Sequence, residues 1–228
     1  MQEATPEKSA DRLTAIRARM AAAAKLARRP SEDIHLIAVS KTRSVEDIAP
    51  LILQGQMLFG ENRVQEAAQK WPVLKQQHSG IQLHLIGQLQ SNKAEEAVAL
   101  FDVIHSVDRL SLVIALGKAM QKLQRAVPCF IQVNIGAEAQ KGGCSVAELP
   151  ELLKAAQESD IPVAGLMCIP PADVEAAPFF ALLAELSARY GLPQLSMGMT
   201  DDFETAIMLG ATHIRVGTAL FGERTSAV

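Results

Sequence analysis

Residues 35–44 read HLIAVSKTRS, a stretch that joins an apolar run directly to a lysine. The run from Leu36 to Val39 has the composition and length that predict a buried β-strand. It ends abruptly in Ser40 and Lys41. A lysine at the end of a buried strand is either a solvated charge or a residue with a chemical role, and the remaining sequence has to separate these two interpretations.

Similar apolar runs recur along the chain and alternate with amphipathic segments of helical length. Eight strands are predicted, at residues 34–40, 57–62, 82–89, 102–108, 129–135, 162–169, 194–198 and 213–220. A helix is predicted after each strand except the last, including RVQEAAQKW at 63–71, and another helix over about 9–27, with Ser9 as its N-cap, precedes the first strand. Strands that are apolar throughout suit a parallel sheet covered by helices. The pattern therefore predicts an α/β fold, a (β/α)8 TIM barrel whose outer ring the N-terminal helix completes, with a doubly wound open sheet as the alternative.

The composition fits one soluble domain over residues 1–228. Apolar residues make up 49% of the chain, and the net charge of −3 gives no electrostatic footprint for nucleic acid. The three cysteines, Cys129, Cys144 and Cys168, form no CxxC pair, and an odd number without a disulfide pattern favours a reducing cytosol. No apolar stretch approaches the roughly 20 residues of a membrane span, and no signal peptide is recognisable. We therefore expect a cytoplasmic protein that binds neither nucleic acid nor membrane.

In a barrel of this type, the functional site lies at the C-terminal ends of the strands. The last two strands lead into SMGMTDD (196–202) and RVGTALFG (215–222), where small residues let backbone N–H groups approach an anion. Barrels often bind phosphate at these two strands, so Gly217 and Thr218 are candidate phosphate ligands. Lys41 then faces a phosphate-bearing ligand either as a charge partner or as an amine that forms a Schiff base, and a solvated lysine remains the third interpretation.

Eight motifs of the chain resemble those of the pyridoxal phosphate homeostasis proteins, single-domain relatives of the alanine racemase barrel (PLP fold type III). The resemblance runs from about residue 10 to 222, with the motifs in family order and at family-like spacing. The motifs are LIAVSKTRSVEDI, FGENRVQE, HLIGQLQSNK, IHSVDR, IQVNIGAEAQKGG, GLMCIPP, LSMGMTDDFETAI and IRVGTALFG.

The resemblance implies that pyridoxal 5′-phosphate (PLP) is the cofactor and that it forms a Schiff base with Lys41. It also implies phosphate contacts from Ser196, Gly217 and Thr218, together with the adjacent loop from Met197 through Gly198 to Met199. If so, Lys41 meets an aldehyde at the mouth of the first strand, where burial near other cations would keep its amine nucleophilic.

Two further roles follow from the same resemblance. Arg215 is expected to face the pyridine nitrogen, and Asn62 is expected to lie near the cofactor ring and its 3′ oxygen. Three other residues in matching motifs are assigned only to the pocket lining: His84, Asn134 and Met167. The stretch KGGCS at 141–145 departs from the family pattern in a loop, which should not affect the cofactor.

The same residues favour a cofactor carrier over an enzyme. PLP enzymes need an electron sink and a positioned acid or base. Arginine is always charged and only donates hydrogen bonds, so Arg215 would leave the pyridine nitrogen unprotonated and weaken the sink. In the racemase relatives, a tyrosine from an additional domain supplies the second base. Here the single tyrosine is Tyr190, at the end of a predicted helix, and the sequence ends six residues after LFG.

We therefore predict a non-catalytic protein of vitamin B6 homeostasis, with PLP and amino acids as its ligands. A monomer is favoured, with a dimer as the alternative. Two other functions remain open from the sequence. The first is a PLP-dependent amino-acid racemase or lyase of low activity, and the second is a phosphate-binding barrel isomerase with Lys41 as a charge partner.

Overall fold

The computed structural model describes residues 6–222, with side chains from residue 11 onward. The predicted domain limits, 1–228, include residues outside this range and stay a prediction. Eight parallel strands form a closed barrel in chain order. The strands are β1 (His35–Val39), β2 (Leu58–Glu61), β3 (Gln82–Leu85), β4 (Val103–Val107), β5 (Cys129–Gln132), β6 (Val163–Met167), β7 (Gln194–Ser196) and β8 (His213–Val216). Because β1 pairs with both β2 and β8, the predicted barrel is confirmed and the open sheet is wrong.

Helices follow every strand. They are α1 (Pro6–Leu26), α2 (Val45–Leu53), α3 (Val64–Gln77), α4 (Ala94–Leu100), α5 (Leu110–Leu123), α6 (Leu149–Glu158), α7 (Ala177–Arg189), α8 (Phe203–Met208) and α9 (Thr218–Phe221). Short 3-10 turns occupy Ser31–Asp33 and Ser91–Lys93. The N-terminal helix, α1, contacts α2, α8 and α9 on the outside of the barrel. Since α1 already includes Pro6, Ser9 lies within the helix and the prediction that it is the N-cap is wrong.

The strands are shorter than the apolar runs that predicted them. The run at 82–89 contributes only Gln82–Leu85 to the sheet, and 213–220 contributes only His213–Val216. Residues 218–220 instead belong to α9, where Leu220 and Phe221 are buried. Apolar residues at the mouth of the barrel thus serve loops and a closing helix as well as strands, which is why apolarity overestimates strand length.

The barrel separates two buried regions. Outside the sheet, aromatic side chains fill the space beneath the helices, as where Phe59 of β2 meets Trp71 of α3 with ring centroids 5.0 Å apart. Inside the barrel, the core is partly polar: His105 stacks on Phe130 at 4.3 Å, and Arg215 pairs with Ile37 across β8 and β1. Strand alternation places successive residues on opposite sides of the sheet, so each strand contributes to both regions.

Two further predictions concern the cysteines and a membrane span. The three cysteines are buried and form no disulfide, and burial raises the pKa of each thiol to about 12, so they serve as small apolar residues. Within residues 6–222, no helix combines the length and the apolar character that a membrane span requires.

Candidate functional site

Lys41 lies in a tight turn at the C-terminal end of β1. The turn runs from Ser40 to Arg43 and is closed by the Arg43 N–H, which donates to the Ser40 carbonyl at 3.0 Å. Thr42 has φ of +61°, in the left-handed region that β-branched residues rarely adopt. Turns with positive φ at the third position usually place glycine or asparagine there. The half-buried Lys41 is therefore carried by a strained turn, which needs support from elsewhere in the molecule.

That support comes from two side chains of α3. The ammonium group of Lys70 donates to the carbonyls of Ser40 at 3.0 Å and of Arg43 at 3.1 Å, and so binds both ends of the turn. The Glu66 carboxylate accepts the N–H of Thr42 at 2.5 Å and also a bond from Lys70 at 3.2 Å. The residue with the unfavourable φ thus has its backbone fixed by charge-assisted hydrogen bonds.

A buried carboxylate anchors Lys70. Glu61, the last residue of β2, is fully buried. Its Oε1 accepts from Ser40 Oγ at 2.6 Å, from Lys70 Nζ at 2.8 Å and from Trp71 Nε1 at 3.0 Å. Its Oε2 has no partner among the described residues. This group was not predicted from the sequence, although Glu66 and Lys70 stand four residues apart in the predicted helix at 63–71, a spacing that places both on one helix face.

The loop after β7 requires glycine at position 198, whereas the predicted approach of an anion to this loop stays a prediction. Gly198 has φ of +92°, and a Cβ at this position would lie 2.6 Å from the Cβ of Ala206 and 3.0 Å from the Cα of Phe203. The Gly198 carbonyl accepts from the Arg215 N–H at 3.0 Å, which ties the loop to β8. Met197 is buried and Met199 is exposed. Only glycine satisfies both the backbone angle and the available space.

Gly217 brings the end of β8 against the strand that carries Lys41. A Cβ on Gly217 would lie 3.3 Å from the Cβ of Val39 and 3.4 Å from its carbonyl oxygen. Thr218 is exposed at the start of α9. The structure therefore places Lys41, Gly217 and Thr218 after the C-terminal ends of the neighbouring strands β1 and β8, and their contact with a phosphate-bearing cofactor stays a prediction.

Arg215 lies deeper in the barrel than this group. It is 4% exposed, donates from Nη1 to Ser196 Oγ at 2.7 Å and from Nη2 to the Cys168 carbonyl at 2.9 Å. Burial lowers the pKa of the Arg215 guanidinium, which nevertheless stays charged. Ser196 is also bonded to Nδ1 of His105, at 2.8 Å. Its hydroxyl is thus engaged inside the barrel, and the expected contact between Ser196 and phosphate stays a prediction.

The hydrogen bonds continue as a chain, from His105 Nε2 to His84 Nδ1 at 2.9 Å. Because Arg215 can only donate, the Ser196 hydroxyl accepts from it and donates to His105 Nδ1. This pattern assigns the His105 proton to Nε2 and the His84 proton also to Nε2, an assignment that leaves no hydroxyl proton without an acceptor. We call these four residues, His84, His105, Ser196 and Arg215, the interior chain.

The imidazoles of the interior chain are uncharged at neutral pH. Burial lowers the pKa of His84 to about 4 and that of His105 well below its usual value. At the N-terminal mouth of the barrel lies a cavity of about 530 Å³, which His84 lines together with His35 and His213. Burial also lowers the pKa of His213, to about 3. His84 thus faces the mouth opposite Lys41. The sequence prediction that it lines the cofactor pocket stays untested.

The other candidates from the sequence lie at the ends of their strands. Asn62 is half-buried after β2, and its backbone oxygen would be 2.4 Å from a Cβ on Gly87, so a glycine is needed for this close approach. The Asn134 side chain binds the backbone of Glu138 in both directions, at 2.8 and 3.1 Å, and so shapes its own loop. Met167 is buried at the end of β6. None of these positions tests the predicted contact with a cofactor.

This barrel, with a supported lysine after β1 and close-fitting glycines after β7 and β8, is similar to known proteins over most of its length. The chain matches the family model described as "Alanine racemase, N-terminal domain" over residues 12–225. It is 39% identical over 225 residues to a protein of Escherichia coli strain K12 named "Pyridoxal phosphate homeostasis protein", covering 94% of this chain and 96% of that protein. It is 38% identical to the protein of that name from Aquifex aeolicus strain VF5, covering 94% and 97%.

A solved structure shows the same similarity. PipY of Synechococcus elongatus PCC7942, in a structure with PLP bound, is 37% identical, with a TM-score of 0.77 and coverage of 94% of this chain and 100% of that one. The chain therefore belongs to the alanine racemase N-terminal domain family and, within it, to the pyridoxal phosphate homeostasis proteins.

Proposed function

We propose that this protein binds PLP as a Schiff base on Lys41 and serves vitamin B6 homeostasis in the cytoplasm without catalysing amino-acid chemistry. The observation that carries the proposal is the supported turn that holds Lys41 at the end of β1, on the strand next to β8 and Gly217. The PLP-bound structure of PipY and the names of the curated relatives support the choice of cofactor. That the protein is a monomer, with a dimer as the alternative, and that it binds amino acids, stay predictions.

The site residues would contact the cofactor at two levels of the barrel. At the mouth, Gly217, Thr218 and the loop of Met197 and Gly198 would hold the phosphate, largely through backbone N–H groups. Below them, Arg215 uses two of its five N–H donors on Ser196 and Cys168, which leaves donors for the pyridine nitrogen. PLP supplies an aldehyde and an electron-withdrawing ring when it is bound. A donor-only partner keeps the ring nitrogen unprotonated and so weakens that ring as an electron sink.

The position of Tyr190 supports a role without catalysis. It is the C-cap of α7, and helices of a barrel run back towards the N-terminal ends of the strands. Its side chain packs against the hydrophobic core. Tyr190 is therefore at the end of the barrel opposite Lys41, and His84 and His105 are already committed to the interior chain. A second proton donor opposite Lys41 would be worth about 10²–10⁴-fold in rate.

The first test is the absorbance of the purified protein with PLP, before and after borohydride reduction. We expect visible absorbance from the Schiff base and, after reduction and peptide mapping, a cofactor attached to Lys41. Lys41→Ala should abolish the attachment. Reduced cofactor on Lys93 or Lys141 would contradict the assignment to Lys41. Absence of both absorbance and trapping would favour a phosphate-binding barrel in which Lys41 is a charge partner.

The second test is prolonged incubation of the PLP-loaded protein with alanine, serine and other common amino acids, followed by chiral chromatography. We expect slow exchange of the Schiff base with the amino acid, visible as a spectral shift, and no racemisation or elimination above that of free PLP. Turnover well above free PLP that disappears in Lys41→Ala would replace the carrier role by a racemase or lyase of low activity.

A further inference from the structure

We infer that Lys70 is a positioning residue for Lys41: by binding both ends of the Ser40–Arg43 turn from outside the barrel, it sets where the Lys41 amine stands. The consequence for the cofactor rests on the proposed function, whereas the effect on the turn does not. Lys70 belongs to α3 and touches no part of the barrel interior in its hydrogen bonds, which all go to the turn or to carboxylates behind it.

The geometry requires Lys70 to be charged. Its ammonium group has four oxygen neighbours between 2.8 and 3.2 Å, two of them turn carbonyls and two of them carboxylates of Glu61 and Glu66. Residue 70 is 9% exposed and Glu61 is fully buried, so neither charge can be satisfied by solvent. Removing the ammonium leaves Glu61 buried without its counter-charge and both turn carbonyls without their donor.

The turn transmits this effect to Lys41 because its other residues are held. The Ser40 side chain points to the helix layer, where it donates to Glu61 at 2.6 Å, so the residue immediately before Lys41 is fixed from outside the barrel. Thr42 keeps its φ of +61° while its N–H is bonded to Glu66. Without Lys70, the turn can relax to a more favourable backbone conformation, and the direction of the Lys41 side chain changes with it.

The chain offers a matched control on the same helix. Lys75 also belongs to α3 and also forms a partly buried ion pair, with Asp102 at 2.6 Å, but it does not touch the turn. Lys70→Met and Lys75→Met each remove one paired cation from one helix. Lys70→Arg keeps the charge and offers donors in a different arrangement, and so tests rescue.

Two measurements separate positioning from general stability. The first is amide hydrogen exchange of the cofactor-free full-length protein, read residue by residue by NMR. We expect the Thr42 amide to exchange about tenfold faster or more in Lys70→Met, relative to amides of β1 in the same sample. Its relative exchange rate should be unchanged in Lys75→Met.

The second measurement is the PLP dissociation constant, taken from Schiff-base absorbance. It should rise about tenfold in Lys70→Met and stay within about twofold in Lys75→Met. In Lys70→Arg it should recover at least in part.

Equal behaviour of Lys70→Met and Lys75→Met in both measurements would overturn the inference. If wild-type protein forms no Schiff base, the proposed function fails, but Thr42 exchange still decides whether Lys70 holds the turn. If Lys70→Met does not fold, Lys70→Gln takes its place, since its amide keeps a polar group beside Glu61 but cannot bind both turn carbonyls as the ammonium does. That variant should accelerate exchange at Thr42 relative to β1, and unchanged Thr42 exchange would then overturn the inference.

Discussion

Two buried polar groups in this molecule are stabilised in opposite ways. Behind the lysine turn, outside the barrel, Lys70 and Glu61 keep their charges and compensate each other at 2.8 Å. Inside the barrel, His84 and His105 carry no charge, because burial holds the pKa of each below neutrality. Three of their four ring nitrogens form hydrogen bonds, and His84 Nε2 has no partner among the described residues. Lysine and glutamate cannot discard their charges easily at neutral pH, whereas histidine can, so the residue type determines which solution is available.

The Lys70–Glu61 pair and the interior histidines also differ in what they hold in place. Charge-assisted bonds are short and strong, and they suit a strained turn such as the one at Thr42. Within the interior chain, the uncharged side chains of His84, His105 and Ser196 lead to the Arg215 guanidinium, and Ser196 binds it without adding a second charge beside it. In the proposed function, the mouth of the barrel thus has a rigid attachment point, and Arg215 is an oriented cation under the cofactor.

The largest expected effect comes from breaking the tight loop at the mouth. Gly198→Ala forces a side chain into φ of +92° and places its Cβ 2.6 Å from Ala206. The backbone strain costs about 1–2 kcal/mol, and overpacking adds about 1–3 kcal/mol, so we expect the free energy of unfolding to fall by about 3 kcal/mol. Urea denaturation of the cofactor-free protein measures this.

Gly80 supplies the control for that variant. It has φ of +87°, and a Cβ there would meet no atom within 4 Å. Gly80→Ala should therefore show the backbone strain alone, about 1–2 kcal/mol. Equal losses in the two variants would mean that the crowding at Ala206 relaxes without cost and that the loop after β7 is not tightly fitted.

The fold could be predicted from the sequence because its signals are local. Each strand shows as an apolar run and each helix as an amphipathic segment, and the number and order of the two determine a barrel. The ends of the strands could not be predicted equally well, since residues 218–220 are as apolar as β8 but belong to α9. Pairing in the sheet depends on neighbouring strands, which the local pattern does not contain.

The positions of the candidate site residues in the fold could be predicted in part, for a related reason. Lys41, Gly198 and Gly217 stand at strand ends, where a motif and the barrel topology suffice to place them together. Lys70 could not be found in this way, because a lysine on an amphipathic helix is ordinarily assigned to the solvent face. Its role depends on Glu61 and on the turn carbonyls, which are brought to it by tertiary contacts between β1, β2 and α3.

The next largest expected effect is the loss of stability at acidic pH that the buried histidines cause. The pKa of His84 is about 4 in the folded protein, against 6.5 ordinarily, so between these values the unfolded chain binds a proton that the folded chain does not. Unfolding is therefore favoured as the pH falls, and His84 should account for about 2 kcal/mol of the stability lost between pH 7 and pH 5. Urea denaturation at the two pH values measures the loss.

Two histidine variants make this measurement specific. His84→Gln keeps a hydrogen-bonding side chain without a titrating ring, and it should lose about 2 kcal/mol less than wild type on going from pH 7 to pH 5. His78→Gln, at the end of α3 and partly exposed, is the matched substitution outside the interior chain. An unchanged pH dependence in His84→Gln would show that His84 does not resist protonation in the folded state and would remove the contrast between the two buried groups.

The smallest effect tests whether Gly217 acts through the cofactor phosphate. In Gly217→Ala the added methyl group would stand 3.3 Å from Val39, a tight but tolerable contact, so the unfolding free energy of the cofactor-free protein should change by less than about 1 kcal/mol. If the phosphate binds to the Gly217 backbone as proposed, the added methyl group crowds it, and we expect PLP to bind about tenfold more weakly, or about 1.4 kcal/mol. Pyridoxal, which has the aldehyde but no phosphate, should bind wild type and variant equally well. If both ligands are weakened alike, the methyl group acts through Val39 on the lysine turn instead, and the phosphate then has to lie nearer to the loop of Gly198.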